Sequence, residues 1–118
     1  MLRYNLIAAE VLSANATSNS VNPKLWRDQY GAMVVTHSGA KLGSTVTGRI
    51  MLQGSFDGTT WFNVDTCAPD DAEYVKATTL GDASFSWCKI VQLFPFMRAQ
   101  FSIGNIPTGR TWNVFLAE

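Results

Sequence analysis

Residues 48–66 read GRIMLQGSFDGTTWFNVDT, and the fold is decided by how they alternate. On one side Ile50 and Leu52 alternate with Arg49, Met51 and Gln53. On the other, Thr60, Phe62 and Val64 alternate with Trp61, Asn63 and Asp65. Period-two alternation marks a half-buried strand, and two such runs around an Asp-Gly pair mark a β-hairpin. Gly58 takes the positive φ that such a turn requires without steric cost. Ser55 and Asp57 carry oxygens that bond turn amides, withdraw them from the sheet ladder and end both strands. Trp61, just past the turn, is placed to lie across it. Ser55, Asp57, Gly58 and Trp61 are thus the expected structural turn.

Outward from the hairpin, the chain continues in short runs punctuated by Gly, Pro and Asn. Residues 4–12 are apolar enough for strand or helix, and their Tyr, Ile and Val content favours a strand. Residues 13–23, SANATSNSVNP, are small and polar, which fits a loop or an edge strand carrying little core; with residues 1–12 they form an N-terminal arm that is a candidate for an extended reach. Residues 24–29 follow a proline and fit one helical turn. Tyr30, Ala32, Val34 and Thr36 then alternate with Met33, Val35 and His37, and both faces are fairly apolar. That is the pattern of a strand interior to the domain or to an assembly.

Beyond the hairpin, residues 67–82 form the longest irregular stretch, of a kind that often touches a partner. Phe85, Trp87, Lys89, Val91 and Leu93 alternate with Cys88, Ile90 and Gln92. In the next strand Met97, Ala99, Phe101 and Ile103 face inward while Arg98, Gln100 and Ser102 face out. Residues 105–109 make the last turn, and Trp112, Val114 and Leu116 share one side of the closing strand. Seven or eight short strands without a helical period predict an all-β fold, an antiparallel β-sandwich or jelly roll, in one domain over residues 1–118.

Composition narrows the function. The 118 residues are 47% hydrophobic and 12% aromatic, as in a globular protein, with nine basic and nine acidic residues and zero formal net charge. Zero net charge gives no electrostatic reason to expect nucleic acid or an anionic membrane as partner, and mildly favours assembly. Arg3, Asn5 and Glu10 break the N-terminal apolar run, which is too poor for a signal peptide. Nothing approaches a transmembrane span.

Chemistry is sparse. His37 is the only histidine, and the chain names no partner for it as a base. No serine-nucleophile, phosphate-loop or histidine-rich metal motif occurs, so the expectation is a non-enzyme without cofactor or metal. Asp70, Asp71 and Glu73 have the oxygen chemistry of Ca²⁺ ligands, although an open acidic loop ordinarily reads as a solvated patch. Cys67 and Cys88 fit no metal or redox spacing and read as two buried thiols, with a disulfide as the alternative. Trp26, Trp61, Trp87 and Trp112 are many tryptophans for this length, and the surplus suits an interface or sugar stacking. Trp26, Tyr30, Phe85 and Trp87, with Asp70, Asp71 and Glu73, are the candidate interface; for Phe85 and Trp87, core and interface stand level.

The run Ser55-Phe56-Asp57-Gly58-Thr59-Thr60-Trp61, S-x-D-G-x-T-W, resembles the middle hairpin of small β-sandwich virion proteins of tailed phages, among them capsid decoration (cement) and fibre-type proteins. It is also similar to a hairpin of discoidin-like carbohydrate-binding sandwiches, and is one residue short of the Asp-box of sialidase propellers. The phage resemblance implies a structural protein on the capsid surface of a virion, made in the host cytoplasm. Its partner would be the major capsid protein or another virion protein, and it would be a homo-oligomer, dimer or trimer. The alternative is a carbohydrate-binding or fibre-type sandwich used in host attachment, with a glycan as ligand.

Overall fold

The computed structural model describes residues 3–23, 30–38, 46–68 and 84–117, and for residues 84–86 the backbone only. Among these the protein is all-β, with eight strands: β1 (Arg3–Leu12), β2 (Ala16–Thr17), β3 (Tyr30–Ser38), β4 (Arg49–Ser55), β5 (Phe62–Cys67), β6 (Ser84–Gln92), β7 (Phe96–Ser102) and β8 (Arg110–Ala117). They form two antiparallel four-stranded sheets, ordered β1-β8-β3-β6 and β2-β7-β4-β5. Apart from the β4–β5 hairpin, every connection passes from one sheet to the other. That is the jelly-roll arrangement.

Each sheet turns one face inward, as the alternation requires. From the first sheet come Leu6, Ile7, Leu12, Met33, Val35, Trp87, Val91, Trp112, Val114 and Leu116; from the second, Ile50, Leu52, Cys67, Met97, Ala99 and Phe101. Trp112 sits at the centre, its ring 5.2 Å from Phe101 and 4.7 Å from His37. Gly54 continues the inward series of β4 because the Phe94 ring occupies the space a side chain would need, 2.7 Å from a Cβ built there. Phe94 in turn packs edge-on against Phe62 and Phe56, closing that end of the sandwich with aromatic rings.

Several expectations need correction. The hairpin is not a tight Asp-Gly turn, since residues 56–61 lie outside both strands. β5 carries a bulge opposite Leu52 and Gln53: Leu52 pairs with Asp65 but Gln53 with Asn63, leaving Val64 as the extra residue. A bulge shifts the following side chains to the opposite face, so Asp65 joins the inward series with Cys67 instead of facing out with Asn63. Trp87 is core, 3% exposed, and leaves the candidate interface. Cys88 is exposed, because it lies on the opposite face of β6 from Trp87, while Cys67 is buried; the two form no disulfide.

Other readings agree with the structure. β3 lies between β8 and β6, and residues 13–23 contribute only the two-residue β2 and a single bridge from Val21 to Met97. The helical turn read at residues 24–29, and Trp26 within it, lie outside the described residues, as do Asp70, Asp71 and Glu73 and the side chain of Phe85.

Candidate functional site

The turn itself is built from two side chains. Ser55 Oγ accepts hydrogen bonds from the amides of Asp57 (3.2 Å) and Gly58 (2.9 Å) and donates to Asp57 Oδ1 (2.9 Å). Asp57 Oδ1 accepts from the amides of Thr59 (2.9 Å) and Thr60 (2.8 Å). Four amides thus bond locally and cannot join the ladder, which is why the loop is longer than an Asp-Gly turn. The Thr60 and Thr59 amides, with the Ser55 hydroxyl, hold the Asp57 carboxyl far below the usual carboxylate range. With its charge spent on its own loop, this group is scaffolding. Trp61 is half-buried, and the contact it makes is with Arg98, whose guanidinium lies 4.2 Å from the ring centroid.

That contact belongs to a network on the outer face of the β2-β7-β4-β5 sheet. Asn63, Gln53 and Arg98 occupy one cross-strand row. Arg98 Nε donates to Gln53 Oε1 (2.8 Å), and Gln53 Nε2 donates to Asn63 Oδ1 (3.1 Å). Gln53 is buried and bonded at both ends of its amide. In the next row, Thr17, Gln100 and Met51 border a groove of about 390 Å³ that Asn15 and Ser102 help to line. The network escaped the sequence reading because Gln53, Asn63 and Arg98 stand on three strands; only the outward parity of each was legible.

The outer face of the other sheet is different in kind. Two adjacent rows of it read Arg3, Ala117, Ala32 and Ile90, then Asn5, Phe115, Val34 and Cys88, before the polar row of Asn113, Thr36 and Ser86. Tyr30 adjoins them at 61% exposure and Ile90 stands at 68%. Arg3 is the single charge in these rows, and its guanidinium lies 3.7 Å over the Phe115 ring. Of the interface candidates, Tyr30 is the one the structure places here. Ile90, Val34, Phe115 and Ala117 were not singled out from sequence, since a strand apolar on both faces does not say which face the core takes.

Three further ionisable groups lie at a strand edge or in the interior. Lys89 of β6 reaches Asp65 of β5 at 3.1 Å, an ion pair that ties the two sheets together at their shared edge. His37 is buried at 2% exposure against Trp112. Burial, then the nearby Arg110 charge, lower its pKa to about 4 against a weaker opposing effect of the Ser38 backbone, so the imidazole is neutral at pH 7. Its ring packs against that of Trp112. Among the described residues, no three His, Cys, Asp or Glu side chains converge as a metal site would require.

No protein-family model matches this chain, and no curated protein matches it.

Proposed function

We propose that the protein is a structural component of a tailed-phage virion, of the capsid decoration type, working by binding alone. The observation that carries this reading is the apolar outer face of the β1-β8-β3-β6 sheet. Exposed apolar surface of this extent, with one charge across two rows, suits contact with another protein. A rigid sandwich seated on neighbouring major capsid protein subunits contributes about 25 cal/mol for each Å² of apolar surface it buries. Repeated over many copies, weak contacts of that kind stiffen a shell. The hairpin resemblance supports the same assignment, and the near-neutral charge supports a homo-oligomer, dimer or trimer.

The test uses phage particles assembled without this protein. Added back, the protein is expected to bind them and raise the temperature at which they release DNA. Ile90→Asp, which puts a charge in the middle of the apolar rows, is expected to abolish binding while leaving the protein folded. Failure of the unmodified protein to bind would overturn the assignment.

A further inference from the structure

We infer that the outer face of the β2-β7-β4-β5 sheet is a binding site for a carboxylate-bearing saccharide, with Arg98 as its anchor. The inference is independent of the docking role, which uses the opposite sheet.

Arg98 is oriented before any ligand arrives. Its plane rests on Trp61, and its Nε–H is fixed by Gln53 Oε1, itself buried and held from the other side by Asn63. With Nε occupied, the Nη1–Nη2 edge remains, and no carboxylate among the described residues pairs with it. The bulge in β5 contributes: it turns Asp65 inward, where it pairs with Lys89, and so takes that carboxylate off this face. A planar guanidinium held in place and lacking a counter-charge is suited to bidentate recognition of a carboxylate. The exposed Asn63, whose Oδ1 is engaged by Gln53, adds an Nδ2 donor in the same row.

The groove decides between a saccharide and an acidic protein segment. It begins at Gln100, two residues along β7 from Arg98, hence about 7 Å away. Asn15, Thr17, Gln100 and Ser102 line it with amides and hydroxyls, beside apolar surface from Ala16, Met51 and Phe101. Such a mixture of neutral polar and apolar groups matches a sugar ring, with its hydroxyls and its C–H face. A protein anchor instead fills a desolvated apolar pocket, and the described apolar rows lie on the other sheet. One saccharide unit with its carboxylate on Arg98 leaves the adjoining unit in the groove.

Isothermal titration of the isolated full chain tests this with four probes: an oligogalacturonate, 3′-sialyllactose, lactose and poly-glutamate. At least one of the two acidic saccharides is expected to bind at least about tenfold more tightly than lactose, the worth of one charge-assisted contact; which one tells a uronic from a sialic-type acid. Arg98→Lys keeps the charge but loses the fork, and is expected to weaken that binding by a similar factor. Its melting temperature shows whether it is folded. Should it unfold, Asn63→Ala and Gln100→Ala, on exposed and half-buried positions, are expected to weaken the same binding. No binding of either acidic saccharide at millimolar concentration would overturn the inference, as would binding unaffected by the substitutions or equally tight binding of poly-glutamate. Loss of particle binding would leave this result untouched, so the two readings fail separately.

Discussion

Gly58 sits at φ 79° in a loop in which Ser55 and Asp57 bond the amides of residues 57–60, its own included, and so hold the backbone there. A β-branched residue resists that region strongly. Gly58→Val is expected to destabilise the protein by more than ~1 kcal/mol, measured by urea denaturation, whereas Gly58→Asn costs less because Asn tolerates the left-handed region. His37 makes a second prediction at this scale. Its pKa is near 6.5 in the unfolded chain and about 4 when folded. Between those values the unfolded chain binds the proton and the folded one does not, so stability present above pH 6.5 is lost as the pH falls towards 4. By pH 5 the loss is on the order of 2 kcal/mol. His37→Leu is expected to flatten the urea midpoint between pH 7 and pH 5, where few carboxylates titrate; an unchanged slope would assign the effect elsewhere. Asp57 acts in the same direction at lower pH: its stabilisation holds above the ordinary carboxylate pKa near 3.8 and is lost on further acidification.

Among elements, β5 and β6 form the edge at which the two sheets meet through Lys89 and Asp65. Lys89 is 39% and Asp65 22% exposed, so solvent screens the pair and its worth is small. Asp65→Asn is expected to cost less than ~1 kcal/mol, and the margin over the unmodified protein should shrink in 1 M salt. A larger, salt-insensitive loss would mean that the bulge itself depends on the carboxylate. At the far side of the first sheet, β1 carries register shifts on both sides of Ile7, and Ala9 lies at φ 50° with its amide on Asn113 Oδ1. Such irregularity blunts an edge strand against pairing with another chain. β6 has no such device in its pairing with β3, and its exposed side chains include Cys88 and Ile90.

For the whole molecule, the two outer faces differ. One carries two largely apolar rows with Arg3 as their single charge; the other is polar, with Arg98 set on Trp61. The first leads to a prediction about self-association. Light scattering at micromolar concentration is expected to give a dimer or trimer mass, and Ile90→Asp to give a monomer with an unchanged melting temperature, since Ile90 is 68% exposed and holds no core contact to lose. A monomer mass for the unmodified protein would overturn the expectation of a homo-oligomer in solution.

What the sequence determined by itself is what alternation and turn chemistry encode locally. Met97, Ala99 and Phe101 point inward, Trp112, Val114 and Leu116 share a face, and Ser55 and Asp57 shape a loop around Gly58. These follow from neighbours along the chain, and the all-β class follows from their sum. The tertiary structure decided what depends on residues far apart in sequence. Strand order placed Gln53, Asn63 and Arg98 in one row, and no local pattern records strand order. A single bulge reversed the expected face of Asp65, because one extra residue inverts every side chain beyond it. The fate of Trp87 was settled the same way: both faces of β6 carry apolar residues, and only the packing of the second sheet chose the one carrying Trp87 for the core and left Ile90 exposed.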